Sequence, residues 1–150
     1  MPDDDISRTA APDFDGARFR QVLGHFASGI TVITAVAPDG DPVGFTCQSF
    51  SSLSLDPPLV LFCPGKESSS WPKIREAGHF AVNILAESQE ALCRTFATKG
   101  TDKFQGAGWT GAPVTGAPIL QDVLAWIDCT VETEHDGGDH LIVVGRVHGL

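Results

Sequence analysis

Two hydroxyl residues, Thr46 and Ser49, are candidates for binding a phosphate in the segment VGFTCQSFSSLSLDPPLVLFCP. Hydroxyls and nearby backbone amides can bind a phosphate, and a glycine such as Gly44 lets a ligand approach the backbone. Side chains three residues apart point to opposite faces of a regular strand, so both hydroxyls reach one ligand only if the chain bends near Cys47 and Gln48. We therefore predict a bend there. Composition alone favours the alternative, in which Thr46 faces solvent as an ordinary strand residue and Ser49 begins a turn.

Lys103, Phe104 and His140 are the other candidates for chemistry. A lysine in a glycine-rich loop can close over a phosphate, and an adjacent aromatic ring can cover an apolar ring system. The tripeptide DKF fits a surface charge pair with an anchoring phenylalanine equally well. His140 begins the second strand of a predicted hairpin, where it can meet a cofactor, assist proton transfer near neutral pH, or pair with Asp139 in a structural role. The sequence has no nucleophile elbow, P-loop or dinucleotide glycine fingerprint.

The composition argues against several classes of function. The 150 residues include 19 Asp and Glu against 10 Lys and Arg, a net charge of −9, so a cationic surface for nucleic acid is hard to assemble. The apolar runs are too short to cross a bilayer, and the acidic N-terminus lacks the pattern of a signal peptide. We therefore predict a cytoplasmic protein without a nucleic-acid or membrane partner. Four cysteines without CxxC pairing indicate buried thiols, and we expect no metal site.

Most of the chain reads as short strands with a few helices at the margins. Residues 1–14 are predicted to be a disordered acidic tail, and residues 15–150 a single domain. An amphipathic helix is predicted from Phe19 to Phe26, ending at Gly29, and a long loop is predicted over 98–118. Short helices are expected around Trp71 and over 87–97. The alternation in Leu53 to Leu55 indicates a half-buried edge of the sheet. Six strands are predicted, over 30–37, 43–49, 59–63, 79–85, 125–135 and 140–147.

These strands lack a regular βαβ alternation, which disfavours a parallel doubly wound sheet. Most of them are joined by short connections, as in antiparallel sheets. Six short strands in an open sheet would leave exposed edges, and closure into a barrel removes those edges. The pattern therefore predicts a mainly β fold, a small antiparallel barrel with flanking helices.

Several segments together resemble the short-chain flavin reductases, the flavin-binding split-barrel components of two-component monooxygenases. The resemblance covers about residues 19–147, and SFSSLSLDPPLVLF is its most specific part. The block CQSFSSLSLDPPLVLFCP and the CTV…HDGGDH segment are most similar to the reductase partners of hydroxylases that act on a secosteroid phenol in actinobacterial cholesterol breakdown. The remaining motifs are GITVIT, a serine-rich turn with Trp71, FAVN, a helix ending in Phe96-Ala97, DKF, and GGDH followed by Gly145.

The resemblance implies a homodimeric, six-stranded antiparallel Greek-key split barrel. It implies that FMN or FAD binds near the dimer interface, that NADH or NADPH reduces it, and that the reduced flavin diffuses to a separate oxygenase. Lys103 is then expected near the phosphate, and His140, the implied catalytic residue, near the nicotinamide. The other implied flavin-binding residues are Val43, Gly44, Phe45, Thr46, Gln48, Ser49, Cys63, Pro64, Gly65, Ser69, Ser70, Thr95 and Phe96.

Two other functions are compatible with this kind of barrel. One is a non-catalytic flavin-binding module without a productive nicotinamide site. The other is oxidase chemistry of the pyridoxamine-phosphate oxidase type. An anionic substrate of that kind would require more basic residues than the glycine-rich loop around Lys103 contains. Members of the family continue for some tens of residues beyond a point like Leu150, with a further strand and a terminal helix. The resemblance therefore implies that these two elements are missing here and predicts lower stability or activity than in a full-length relative.

Overall fold

The computed structural model describes residues 11–100 and 102–150, so most of the predicted N-terminal tail lies outside the described residues. The described chain forms three α-helices and nine strands, with a short 3-10 turn at Glu87–Gln89. The helices are α1 Gly16–Leu23, α2 Trp71–Ala77 and α3 Glu90–Ala97. The strands are β1 Thr31–Val36, β2 Pro42–Cys47, β3 Phe50–Leu55, β4 Pro58–Phe62, β5 His79–Ile84, β6 Trp109–Gly111, β7 Pro118–Leu120, β8 Ala125–Gly137 and β9 His140–Gly149.

Seven of the described strands form one sheet in the order β2-β1-β5-β8-β9-β4-β3, with every pairing antiparallel. Strands β2 and β3 lie at the two ends of this order, yet only residues 48 and 49 separate them in the chain. A connection of this length spans at most about 11 Å, so the sheet must curl until its two edge strands approach each other. The mainly β, barrel-like antiparallel fold that we predicted is therefore confirmed.

The predicted number of six strands is wrong. The main sheet has seven strands in the described residues, because Phe50–Leu55 is a full edge strand rather than a three-residue edge. The segment 98–118, predicted to be a loop, contains β6 and leads into β7, and these two strands pair as a separate ribbon. Each ribbon strand has only three residues, which is too short for a period-2 pattern to appear in the sequence.

A cluster of aromatic side chains forms the core inside the curled sheet. The ring of Phe62 packs edge-on against Phe80 and Trp71, with centroid separations of 4.9 and 5.6 Å. All three side chains are buried. A Cβ on Gly145 would lie 2.4 Å from Phe80 Cζ, so this position of β9 must be glycine for the ring to fit. These contacts hold β4, β5 and β9 together beneath α2.

Buried polar groups attach the β6–β7 ribbon to the sheet. The side chain of Asn83 donates to Pro118 O at 3.2 Å and accepts from Leu120 N at 2.8 Å, which joins β5 to β7. The buried carboxylate of Asp128 accepts hydrogen bonds from the backbone N–H groups of Val114 and Thr115, at 2.8 and 3.2 Å. A carboxylate on β8 therefore organises the turn between the two ribbon strands.

Helix α1 lies about one turn nearer the N-terminus than predicted, at Gly16–Leu23 instead of Phe19 to Phe26, and it packs differently from an ordinary amphipathic helix. Asp15 caps its first turn by accepting from Arg18 N at 2.8 Å, and the helix ends at Gly24 rather than at Gly29. None of its residues is buried, and Phe26, just beyond it, is 78% exposed. The apolar spacing was correctly identified in the sequence, but the apolar face is not covered by the described chain. None of the described helices has the length and hydropathy of a membrane span.

Candidate functional site

Three adjoining cavities form one groove along β2. The first, which we call the apolar cavity, has a volume of about 700 Å³, and the second, the central cavity, about 460 Å³. These two share the lining residues Phe45, Thr46, Gln48 and Gly65. The third, the distal cavity, has a volume of about 510 Å³ and shares Ser69, Ser70 and Lys103 with the central cavity. Each neighbouring pair of cavities shares wall residues, so the three cavities lie side by side along β2.

Aromatic and aliphatic side chains line the apolar cavity. Phe45 comes from β2, Phe50 from β3 and Leu61 from β4, while Leu23 and Phe26 enter from the end of α1. Phe45 also packs against the core ring of Phe62 at a centroid separation of 6.2 Å, so one wall of the cavity is continuous with the protein interior. Such a surface suits a flat apolar ring system.

The predicted bend between β2 and β3 is confirmed at Gln48. Its side-chain amide donates to Ser28 Oγ at 2.9 Å, which ties the bend to the segment after α1. Ser49 Oγ donates to Cys63 O at 3.0 Å and accepts from Cys63 N at 3.1 Å, which links the bend to the end of β4. The bend therefore brings together residues from both edges of the sheet at the apolar cavity.

Thr46 lines the groove, but its hydroxyl proton is already used by the protein. Thr46 Oγ1 donates to Cys93 O at 2.5 Å and so attaches α3 to β2. The hydroxyl of Ser49 is likewise directed to the carbonyl of Cys63. Both hydroxyls can still accept hydrogen bonds, but neither directs its proton into the groove. Their proposed role as phosphate ligands stays a prediction, and other donors in the groove fit a phosphate better.

Gly44 has a different role from the one expected. A Cβ at this position would lie 2.8 Å from Ile33 O and 3.0 Å from Phe96 Cε1. The space above the glycine is therefore filled by the buried ring of Phe96 and not by a ligand. Its carbonyl accepts from Lys103 Nζ at 3.1 Å and from Ser70 Oγ at 3.3 Å. Gly44 thus fixes two groove residues through its backbone while allowing α3 to pack closely.

Lys103 is the strongest candidate for binding an anion. Its side chain is partly buried, and burial lowers the pKa of its ammonium group below the usual lysine value. Within residues 11–100 and 102–150, no carboxylate lies within ion-pair distance of it. Lys99, Ser68 and Ser69 line the same central cavity. Two lysine ammonium groups and serine hydroxyls in one cavity are suited to a phosphate, although the carboxylate residue Glu67 lines the same cavity.

His140 lines the apolar cavity. Its Nδ1 is 2.7 Å from Asp139 Oδ1, which is the structural pairing considered from the sequence. This hydrogen bond lowers the pKa of the Asp139 carboxyl group. His140 also forms a backbone bridge with Gly65, and Leu141 N donates to Pro64 O at 2.9 Å. The histidine is therefore held at a fixed place beside the turn that follows β4.

Most of the predicted site residues meet in the groove. Val43 lines the distal cavity, and Cys63 and Pro64 line the apolar cavity. Thr95 is the exception, because it lies exposed on α3 with its hydroxyl donating to Ala91 O at 3.0 Å, and it lines none of the three cavities. Sequence reasoning missed several lining residues: Leu23, Phe26, Ser28, Leu61, Lys73 and Lys99. Of these residues, only Leu23 and Phe26 had a signal in the sequence, which is the apolar helical spacing around α1.

A curled antiparallel sheet with this groove along one strand is typical of flavin-binding split barrels, and sequence comparison agrees. The sequence model of the flavin reductase like domain matches residues 23–150, and the chain belongs to that family. The predicted family is thus confirmed.

Comparison with individual proteins of known structure or name gives more specific similarities. The chain is 55% identical over 141 residues to the flavin-dependent monooxygenase reductase subunit HsaB of Rhodococcus jostii, covering 94% of this chain and 71% of that protein. It superimposes with a TM-score of 0.85 on nitrilotriacetate monooxygenase component B from Mycobacterium thermoresistibile, at 54% identity and covering 89% of this chain and 73% of that one. The NADH:FAD oxidoreductase SgcE6 of Streptomyces globisporus gives a TM-score of 0.84 at 35% identity, covering 95% and 86%.

Proposed function

We propose that this protein is an NAD(P)H:flavin oxidoreductase that supplies reduced FMN or FAD to a separate monooxygenase component. The observation that carries the proposal is the groove, in which an apolar cavity adjoins a central cavity lined by the partly buried ammonium group of Lys103. A flavin has the matching construction, a flat ring system at one end and a phosphate at the other. Membership of the flavin reductase like family supports the same assignment.

The residues that line the groove have the chemistry that a flavin requires. The ring system would lie in the apolar cavity against Phe45 and Leu61, and the phosphate would meet Lys103 and Lys99 in the central cavity. Gly65 and Gln48 line both cavities and would flank the chain between rings and phosphate. The aromatic wall excludes water from the rings, and the lysines supply positive charge where the ligand is anionic.

When bound, the flavin supplies the redox chemistry by accepting a hydride from the nicotinamide. The protein's own contribution is to hold the two rings close together and to exclude water. His140 lines the apolar cavity and its Nδ1 is hydrogen-bonded to Asp139, which supports a position beside the reacting rings. It is the residue we propose as catalytic.

We further propose that the protein acts as a homodimer in the cytoplasm. The apolar side chains of α1 and the following turn are exposed, among them Phe19, Leu23 and Phe26, and monomeric proteins rarely leave such a patch uncovered. Leu23 and Phe26 also line the apolar cavity, so a second copy on this face would help to enclose the flavin. The similarity to HsaB, a reductase subunit of a flavin-dependent monooxygenase, supports a separate oxygenase partner. We propose that this partner hydroxylates a steroid-derived or other aromatic compound.

The test follows NADH and NADPH oxidation by the purified protein with and without added FMN or FAD, after flavin binding has been measured in the same sample. We expect oxidation to depend on added flavin. A folded sample that binds flavin but shows no flavin-stimulated oxidation would be the non-catalytic flavin-binding module instead. Addition of an oxygenase component should then consume the reduced flavin, which connects the activity to its proposed use.

A further inference from the structure

Two of the four free cysteines, Cys47 at the end of β2 and Cys63 just after β4, line the apolar cavity together. We propose that they form a peroxide-sensitive thiol pair, which oxidation converts to a disulfide that weakens flavin binding. The inference rests on the proposed function for the identity of the ligand in this cavity. The pairing of the two thiols depends only on the geometry of the bend between β2 and β3.

A single serine hydroxyl links the two cysteines. Cys47 Sγ lies 3.3 Å from Ser49 Oγ, and the same oxygen accepts from Cys63 N at 3.1 Å and donates to Cys63 O at 3.0 Å. Cys63 N also donates to Ser49 O at 3.1 Å, which holds the two chain segments side by side. One polar atom therefore separates the thiol of Cys47 from the backbone of Cys63. A disulfide forms when this hydroxyl is displaced and the two sulfur atoms meet.

The two thiols differ in exposure, which gives them separate roles. Cys47 is 4% exposed and belongs to the same core cluster as Phe62, whereas Cys63 is half-buried. Burial raises the pKa of the Cys47 thiol, and the hydrogen bond with Ser49 opposes that rise only in part, so the reactive thiolate forms less readily there. Cys63 is therefore the thiol that reacts with an oxidant first, and Cys47 is the thiol that resolves the product.

The oxidant is hydrogen peroxide, which forms when reduced flavin reacts with dioxygen before an oxygenase consumes it. The Cys63 thiolate attacks one peroxide oxygen, the O–O bond breaks, and the departing hydroxide takes up a proton to give water, leaving a sulfenic acid. The Cys47 thiolate then attacks that sulfur, the S–O bond breaks, and a second hydroxide leaves as water. Two thiols and one peroxide thus give one disulfide and two waters.

A disulfide at this place alters the walls of the apolar cavity. Phe45 and Phe50 line the cavity on either side of the bend, and the hydroxyl of Ser49 ties the bend to the end of β4. Disulfide formation removes that hydroxyl from between the cysteines and so shifts the bend relative to β4. Since the flavin rings are proposed to lie against these walls, the flavin affinity falls. A reductant that opens the disulfide restores it.

The experiment treats the purified, reduced protein with hydrogen peroxide and then measures FMN binding by fluorescence quenching and the thiol state by mass spectrometry. The sequence has no Lys or Arg between residues 21 and 65, so trypsin alone leaves both cysteines in one peptide, 21–66. Chymotrypsin also cleaves after Phe50 and separates the two cysteines unless a disulfide joins the fragments. We expect joined fragments and FMN binding weakened about tenfold, the scale of one lost contact, with both effects reversed by dithiothreitol.

Two matched variants locate the effect. Cys63→Ser removes one member of the pair, and Cys93→Ser removes another half-buried thiol that lines a different cavity. Each variant is compared with itself before and after peroxide, because Cys63 lines the flavin cavity. Cys63→Ser should show no peroxide effect, whereas Cys93→Ser should lose as much FMN affinity as the unmodified protein. A thermal melt checks folding, and fragment analysis of the unmodified protein tests the pair even if a variant does not fold.

Fragments that stay separate after peroxide treatment would overturn the inference. Joined fragments with unchanged FMN affinity would overturn it too, as would an equal loss of affinity in folded Cys63→Ser. These three results leave the proposed function intact, because the reduced protein still binds flavin. Failure of the folded, reduced protein to bind any flavin would overturn the proposed function together with the inference. The two kinds of failure are therefore distinguishable in the same samples.

Discussion

Replacing Lys103 with glutamine tests whether the central cavity binds the flavin phosphate. The ammonium group is partly buried and donates to Gly44 O at 3.1 Å, so part of the cost of removing it from water is already met in the free protein. Glutamine can keep a hydrogen bond to that carbonyl but loses the charge. Ser70 Oγ donates to the same carbonyl at 3.3 Å, so the oxygen stays satisfied in the variant.

The expected loss can be estimated from the environment of the ammonium group. At an effective dielectric constant of about 20, two unit charges about 4 Å apart attract by about 4 kcal/mol. Part of this is lost to solvent screening on the exposed side, and hydrogen bonds to charged groups contribute about 1.5–3 kcal/mol in practice. We therefore expect Lys103→Gln to weaken FMN binding by about 2 kcal/mol, or about thirtyfold.

The assay is a titration of FMN by fluorescence quenching, with riboflavin as the control ligand because it has the same rings and no phosphate. Riboflavin should bind Lys103→Gln and the unmodified protein equally well. Lys103→Arg should retain most of the FMN affinity, since it keeps a positive charge on a similar stem. Equal FMN affinity in Lys103→Gln and the unmodified protein, or an equal loss for riboflavin, would refute the placement of the phosphate.

Three other perturbations test separate parts of the structure. Gly44→Ala should lower the free energy of unfolding by about 1–3 kcal/mol in urea denaturation, because the new Cβ meets a β1 carbonyl at 2.8 Å and Phe96 at 3.0 Å. Gly65→Ala, whose nearest atom lies at 3.8 Å, is the control, and similar losses in both would contradict the packing argument. Asp128→Ala should cost about 2–3 kcal/mol by leaving two N–H groups of the ribbon turn unpaired, and an unchanged melting temperature would contradict it. FMN affinity should fall as the pH rises through the lowered pKa of Lys103, because the phosphate binds the protonated amine, and Lys103→Arg should remove this dependence.

The elements that sequence analysis predicted correctly carry local signals. The β-branched run of β1 and the apolar run of β4 are each recognisable within a few residues. The hairpin of β8 and β9 has Gly137 and Gly138 at its turn, and Gly138 has the positive φ of 78° that such a turn requires. The bend at Gln48 followed from a different kind of reasoning, since only a bend lets Thr46 and Ser49 share a surface.

The elements that were missed depend on partners distant in sequence. The β6–β7 ribbon is fixed by Asn83 and Asp128, which lie on other strands, so its own residues carry no pattern. Lys73 lies on α2 and Lys99 follows the end of α3. The two residues line the same groove only because the sheet curls. Gly44 was correctly selected as unusual, but its neighbour Phe96 comes from α3, and a single sequence cannot distinguish a glycine that makes room for a ring from one that makes room for a ligand.

The clustering of Lys73, Lys99 and Lys103 along one groove has a consequence for how a ligand arrives. The protein as a whole carries a net charge of −9, so an anionic flavin is repelled at long range and attracted only once it is close to these three lysines. Salt screens the distant repulsion first, since the Debye length is about 10 Å at 0.1 M. Moderate ionic strength should therefore speed the arrival of FMN while weakening the bound state, the reverse of the usual electrostatic steering of a ligand towards an oppositely charged protein.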